Sequence, residues 1–185
     1  DKKSDNTEIY IVEGESAGGC FSGETCVALA DGRNLSFKEL VEENKQGKEN
    51  FCYTIKSDGT IGIEKIENPR LTKENAEVIR IILDDDKEII CTPDHKFMLR
   101  DGNYKEAKDL EKEDSLMPYH QVVELVQSYN HKIKRIERLK QKIDVYDIEV
   151  PNTHNFALAL GVFVHNSAKM ARNKENQAIL PLKGK

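Results

Sequence analysis

The chain has 185 residues, 38% of them apolar and 33% charged, with a formal net charge of -5 at neutral pH. That length suits one globular core of ordinary size with short appendages rather than two full domains, and the apolar content is too high for general disorder. The acidic balance gives no general case for nucleic-acid binding, no stretch approaches the roughly 18 apolar residues of a membrane span, and no basic start leads into an apolar run, so a soluble cytoplasmic protein is expected.

Residues 1–19 carry two lysines against five acidic residues and end in the glycine-rich stretch "VEGESAGG". At Cys20 a different organisation begins. The segments "TCVALA" (25–30), "NFCYTI" (50–55), "IGIEKI" (61–66), "EVIRIIL" (77–83), "KEIICT" (87–92), "HKFML" (95–99), "DVYDIEV" (144–150) and "GVFVH" (161–165) are short and β-branched or aromatic. Turn signals such as Asp31-Gly32, Asp58-Gly59, Asp84-Asp85-Asp86 and Asp101-Gly102 separate them, which predicts an all-β body built of hairpins. One helix is well signalled, because Ser36 with Glu39 three residues on forms a capping box ahead of "FKELVEEN", which stops near Gly47. "YKEAKDLEKED" (104–114) is a second, shorter helical candidate. Over 122–143, Val122, Val126, Tyr129, Ile133 and Ile136 recur at helical spacing, while His131 to Ile136 also reads as the start of a strand. A linker is expected at about His120 to Gln127. The last 19 residues, 167–185, carry five basic side chains against one acidic, opposite in sign to the first 19.

Cys20, Cys26, Cys52 and Cys91 contain no C-x-x-C pair, so neither a zinc ribbon nor a redox dithiol is indicated, and no metal or cofactor is called for. Cys26, Cys52 and Cys91 lie in apolar strands and read as buried small hydrophobes. His120 and His131 fall in the weakly patterned region and read as solvent-facing.

The residues that are hard to justify structurally are Cys20, after two glycines, and His165-Asn166-Ser167, after an apolar strand. Between them, "CTPDHKFML" supplies Thr92 and His95, and "VYDIEVPNTHNFAL" supplies Asp147 and His154. These groups suit one chemistry. A thiol beside the unhindered Gly19 carbonyl can attack it if something protonates the departing nitrogen, and His95 can supply that proton. Thr92 can position His95 or hydrogen-bond the peptide at Gly19-Cys20. The Asn166 amide can close on its own carbonyl as a succinimide, with His165 or His154 helping the leaving amine. Ser167 offers a hydroxyl to accept an acyl chain.

"CFSGETCVALADG", "CTPDHKFML", "VYDIEVPNTHNFAL" and "GVFVHNS" resemble the four splicing motifs of an intein, in the family's order and across the 147 residues from Cys20 to Asn166. The resemblance implies the horseshoe-shaped all-β Hint fold with one or two short helices, and a strand at 131–140 in place of the helical periodicity. It makes Cys20 the first nucleophile, Ser167 the acceptor and Asn166 the cyclising residue, with ligation of Gly19 to Ser167. Thr92 and His95 match the family's Thr-x-x-His motif, Asp147 its acidic residue, and His154 and His165 its two C-terminal histidines. About thirty-five residues between Pro118 and His154 are too few for the nuclease many inteins carry, so a mini-intein is implied. Three parts follow: flanking segments 1–19 and 167–185 and a splicing domain 20–166. Joined, the flanks resemble the acidic-loop region of the toprim domain of DNA gyrase B, whose spliced form would work on DNA. The insert itself would act in cis, as a monomer, without nucleic acid or membrane. Two other readings remain: a self-cleaving Hint module that does not ligate, and a DNA-binding gyrase fragment with a structural insertion.

Overall fold

In the computed structural model, residues 19–119 and 131–166 are described. Strict alternation makes the clearest strand: along β4 (Asn50–Ile55) Asn50, Cys52 and Thr54 point inward while Phe51 is exposed. Ahead of it come β1 (Phe21–Ser22), β2 (Cys26–Ala28), β3 (Asn34–Ser36) and the helix α1 (Phe37–Lys45). After it come β5 (Ile61–Ala76), β6 (Ile79–Leu83), β7 (Glu88–Cys91), β8 (Lys96–Met98), β9 (Tyr104–Glu106), β10 (Ile133–Arg138), β11 (Ile143–Glu149), β12 (Asn155–Ala157) and β13 (Phe163–His165). The strands pair antiparallel. They form a seven-stranded sheet in the order β10-β6-β7-β1-β11-β5-β4, a four-stranded sheet β12-β13-β8-β9 and the ribbon β2-β3.

The predicted helix is present with its cap: Ser36 Oγ accepts from the Glu39 N–H at 3.1 Å and Glu39 Oε1 accepts from the Ser36 N–H at 2.9 Å. It turns Phe37 and Leu40 into the core and gives way to Gly47 at a φ of 83°. The second helical candidate is not a helix. Tyr104–Glu106 pair with β8, and only Ala107–Asp109 form a 3-10 turn, because the backbone donors there are claimed by tertiary partners: Ala107 N–H by the His95 carbonyl at 2.7 Å and Lys108 N–H by Pro93 at 2.8 Å. Residues 133–138 form a strand against β6, as the family motif implied and against the helical periodicity. The expected linker, from His120 on, and the periodic residues 122–130 lie outside the described residues.

β5 runs ten residues past the expected end at Ile66. It changes partner on the way, pairing with β4 over 61–66 and with β11 from Glu67 onward. Pro69, which has no N–H to donate, falls at the irregularity between the Glu67–Glu149 and Arg70–Asp147 pairs, beside Asn68 at a φ of 50°. Two cysteines, Cys52 and Cys91, are buried as expected, whereas Cys26 is half-exposed at the edge of its ribbon. His131 is a correction: it is fully buried, because its backbone carbonyl accepts from Leu116 and draws the residue under the sheet edge.

Phe21 sits at the centre of the core. Its ring stacks on Phe37 of α1 at 5.4 Å and meets Phe97 of β8 and Phe156 of β12 edge-on at 6.3 and 6.2 Å, so one side chain joins both large sheets and the helix. Phe21→Ala should cost about 3–5 kcal/mol in urea unfolding, the range for a fully buried aromatic, against a smaller loss for Phe21→Leu.

Candidate functional site

Strand register brings the first group together. Phe21 is opposite Cys91 on one side and Tyr146 on the other, so one step earlier Cys20 lies between Thr92 and Asp147. The Cys20 N–H donates to Thr92 Oγ1 at 3.0 Å, and the Thr92 N–H donates to the Cys20 carbonyl at 2.9 Å. Thr92 in turn donates its hydroxyl proton to Asp94 Oδ1 at 2.8 Å, which leaves its lone pairs turned to the Cys20 amide. Gly19 packs against His95 so closely that a Cβ would run into the histidine's ring, Cα and Cβ, so glycine is required there by space alone.

Cys20, Asp147 and His95 are each shifted toward their uncharged forms. Burial, with the nearby Asp147 and Asp94 charges, pushes the Cys20 thiol up to about 12, while Thr72 and Arg70 oppose the rise. Asp147 is 1% exposed and is raised to about 8 by its burial, against the Ile148 N–H that donates to Oδ1 at 2.8 Å and the Arg70 charge across the sheet. His95 is fully buried between Phe21, at 4.1 Å, and Phe97, at 5.5 Å. Burial lowers it to about 3; the Gly19 and His165 backbones lie near enough to favour its protonated form, but neither ring nitrogen has a hydrogen bond of good geometry.

At the other end, the register of β13 on β8 pairs Val164 with Phe97, which carries Asn166 to the level of His95. The Asn166 side chain is buried and held by backbone alone: Nδ2 donates to the Ile148 carbonyl at 2.6 Å and Oδ1 accepts from the Val150 N–H at 2.5 Å. Its own N–H donates to the His154 carbonyl at 2.7 Å. His154 has a left-handed φ of 57° in the turn after β11 and is exposed; its visible tie to Asn166 is this carbonyl. His165 is half-buried, and the Tyr104 ring meets it edge-on at 4.7 Å. Ser167 lies outside the described residues. Cys20, Thr92, His95 and Asp147 are thus gathered, and His165 and Asn166 adjoin them through His95.

Several neighbours escaped the sequence reading. Thr72 lies 3.0 Å from Cys20 Sγ, and Asp94 orients Thr92. Asn155 braces the turn whose His154 carbonyl holds Asn166, since its Oδ1 accepts from the Ile55 N–H at 2.8 Å and its Nδ2 donates to the Thr153 carbonyl. Asp94, inside the Thr92–His95 motif, was the one with a local signal; Thr72 and Asn155 sit in strands with no chemistry of their own. Elsewhere, Asp84, Asp85 and His131 present ligand atoms within 4.8 Å of one another at the β6–β7 turn, where burial lowers the His131 pKa against the pull of both carboxylates.

Asp147 gives a signed expectation. The folded chain keeps its proton up to about pH 8, whereas the unfolded carboxyl loses it near about 3.9, so stability falls as pH rises between those values and levels off above. Asp147→Asn should therefore exceed the parent in stability by a margin that widens from about pH 5 to pH 8, at no more than about 1.4 kcal/mol per pH unit. Urea unfolding at several pH values tests it; a constant margin would mean an ordinary carboxyl.

The sequence matches the family described as "Intein splicing domain" over residues 27–166. It is 66% identical over 122 residues to DNA gyrase B of Synechocystis sp. (strain PCC 6803), and 26% identical over 100 residues to the replication factor C small subunit of Methanocaldococcus jannaschii. These matches cover 66% and 54% of this chain but only 11% and 5% of those proteins' lengths. In fold it is similar to the DnaB intein of Synechocystis sp. PCC 6803, with a TM-score of 0.67 at 23% identity over 81% of this chain and 99% of that one. It is also similar to the Ssp DnaB mini-intein variant M86, with a TM-score of 0.68 at 23% identity over 83% and 97%. The expected all-β Hint fold is the fold observed, with one short α-helix among the described residues. The chain therefore belongs to the intein splicing domain family, and its activity is autocatalytic protein splicing.

Proposed function

We propose that splicing joins Gly19 to Ser167 through Cys20 and Asn166, in four steps. Cys20 Sγ attacks the Gly19 carbonyl carbon; the Gly19–Cys20 amide breaks, a thioester forms, and in net the thiol proton goes to the Cys20 nitrogen. Asp147, in its ionised form, takes the proton from sulfur. His95 hands one to nitrogen, and a histidine lowered to about 3 is a strong acid whenever it is protonated. Thr92 holds the amide that breaks. Ser167 Oγ then attacks the thioester carbon, the C–S bond breaks and the Cys20 thiolate leaves; Asp147, raised to about 8, gives the sulfur its proton and takes the serine hydroxyl proton in exchange. Next, Asn166 Nδ2 attacks its own carbonyl carbon, the bond to Ser167 breaks, and a succinimide and a free Ser167 amine result. The Ile148 carbonyl draws on Nδ2 while the Val150 N–H polarises Oδ1, which keeps the amide oriented. His165 protonates the leaving amine and His154 supports it through the turn that its carbonyl anchors. Finally the Ser167 amine attacks the ester carbon, the bond to Ser167 Oγ breaks, the proton lost by the amine restores the hydroxyl, and an ordinary Gly19–Ser167 peptide bond results.

The observation that most supports this assignment is that one four-residue turn, Thr92 to His95, serves both junctions: Thr92 pairs with Cys20, and His95 lies against Gly19 and His165. The host is proposed to be DNA gyrase B, part of an ATP-dependent type II topoisomerase whose DNA is a partner of the spliced product only. The two 19-residue flanks total 38 residues, so at least 84 of the 122 matched to the Synechocystis protein fall within 20–166, and that gyrase sequence itself carries related insert sequence. The splicing domain acts in cis, as a monomer, in the cytoplasm; among the described residues no helix is long and apolar enough to cross a membrane.

Incubated at neutral pH, the chain should yield a 38-residue peptide reading "ESAGGSAKMA" across its junction and a 147-residue partner lighter by one water. Tandem mass spectrometry decides it, since two unjoined 19-residue peptides would identify a cleaving module instead. In Asn166→Ala, dithiothreitol should still release residues 1–19, and Cys20→Ala should abolish that release. His95→Ala should slow it by about 10²- to 10⁴-fold, the usual contribution of a general acid, while His120→Ala leaves it unchanged.

A further inference from the structure

Thr72 lies on β5, which carries none of the residues that the splicing motifs supply. Along the β5–β11 pairing, Lys73 faces Val145 and Leu71 faces Tyr146, so two steps on β5 oppose one on β11 and Thr72 is the extra residue of a bulge. Bulges beside active sites turn a side chain out of the ordinary pleat. Here the Thr72 hydroxyl stands 3.0 Å from Cys20 Sγ and 3.0 Å from the Val145 carbonyl oxygen.

A hydroxyl has one proton to give and lone pairs to receive, whereas the carbonyl only accepts. Beside a neutral thiol, Thr72 donates to Val145 and its oxygen can accept from S–H. Once the sulfur loses its proton, the thiolate is the stronger acceptor, and rotation about one bond brings the Thr72 proton onto it. The remaining charged or titratable groups around the sulfur are Asp147 on β11, the buried thiol of Cys91 on β7, Asp94 and His95 in the turn after β7, and Arg70 two residues back on β5. Two of these, Asp147 and Asp94, oppose the thiolate, and Arg70 favours it. Within this set Thr72 is the group in hydrogen-bond contact with Sγ.

We infer that Thr72 is a further catalytic residue of the first splicing step, a hydroxyl that switches from the Val145 carbonyl to Cys20 Sγ as the thiol proton departs. The inference rests on the assignment of Cys20 as first nucleophile. No proton is consumed: Thr72 keeps its own, the sulfur proton goes to Asp147, and the hydrogen bond moves from one acceptor to the other.

The test uses the full chain with Asn166→Ala, so that only the first step is read, as dithiothreitol-induced release of residues 1–19 from about pH 6 to 10. Thr72→Val keeps the shape and removes the hydroxyl. It should slow release about 10- to 100-fold at neutral pH, the scale of one hydrogen bond to a charged group, and move the rise of rate with pH to higher pH. Thr72→Ser should restore most of the rate and the original profile. Far-ultraviolet circular dichroism melting checks folding, and cleavage after Asn166, read in a Cys20→Ala chain, should be unaffected by Thr72→Val. Unchanged release in Thr72→Val overturns the inference. So does a loss that Thr72→Ser does not repair, or one that cleavage after Asn166 shares, either of which marks a structural role. If Asn166→Ala alone released nothing, the Cys20 assignment itself would fall, a distinguishable result.

Discussion

The pairing of Cys20 with Thr92 is the contact on which both junctions depend. Two hydrogen bonds, 3.0 and 2.9 Å, fix the residue before β1 to the residue after β7, and Phe21 then locks that register by filling the core between α1, β8 and β12. The same turn leads directly into β8, which pairs with β13 and so delivers Asn166. A chain whose two reacting ends bound 147 residues thus brings them together across a turn of four. Proximity of this kind replaces an improbable encounter of chain ends with a fixed geometry.

Burial sets the resting electrostatics. Cys20, Asp147 and His95 are each shifted toward their uncharged forms by desolvation, which ranks first among the causes at all three. A neutral thiol, a carboxylic acid and a neutral imidazole are individually inert, and that suits a site that must fold before it reacts. The shifts also bring Asp147 close to the working pH, where a carboxyl can both take and return a proton. Thr72 and Arg70 are the groups that favour the thiolate, and both come from β5.

The C-terminal junction is organised by backbone. Ile148, Val150 and His154 offer main-chain groups to Asn166, and the left-handed residues Asn152 and His154 bend the turn that presents them. Asn155 and Thr54, 2.7 Å apart, tie that turn to β4. This division agrees with the proposed reaction, in which the first junction shifts protons through titratable side chains while cyclisation of Asn166 depends first on the orientation of one amide.

Sequence alone determined the candidate residues and the local elements. Cys20 after two glycines, Thr-x-x-His at 92–95 and the His-Asn-Ser ending are local patterns. The Ser36–Glu39 cap and the alternating strand at 50–55 are readable because their causes lie within a few residues. Tertiary structure alone decided what depends on partners far along the chain. The strand at 133–138 runs against the helical spacing; the family resemblance implied it, but its physical cause is β6 lying beside it. The 104–114 segment lost its helix because His95 and Pro93 claim its donors, and His131 is buried although it has a polar sequence neighbourhood. Thr72 is invisible in "PRLTKEN", since a threonine in a strand signals nothing until a bulge opposite Val145 and Tyr146 turns it toward a sulfur 52 residues away. The sequence names reactive groups by type and spacing, but register and burial, which are properties of the whole sheet, set their distances and their charges.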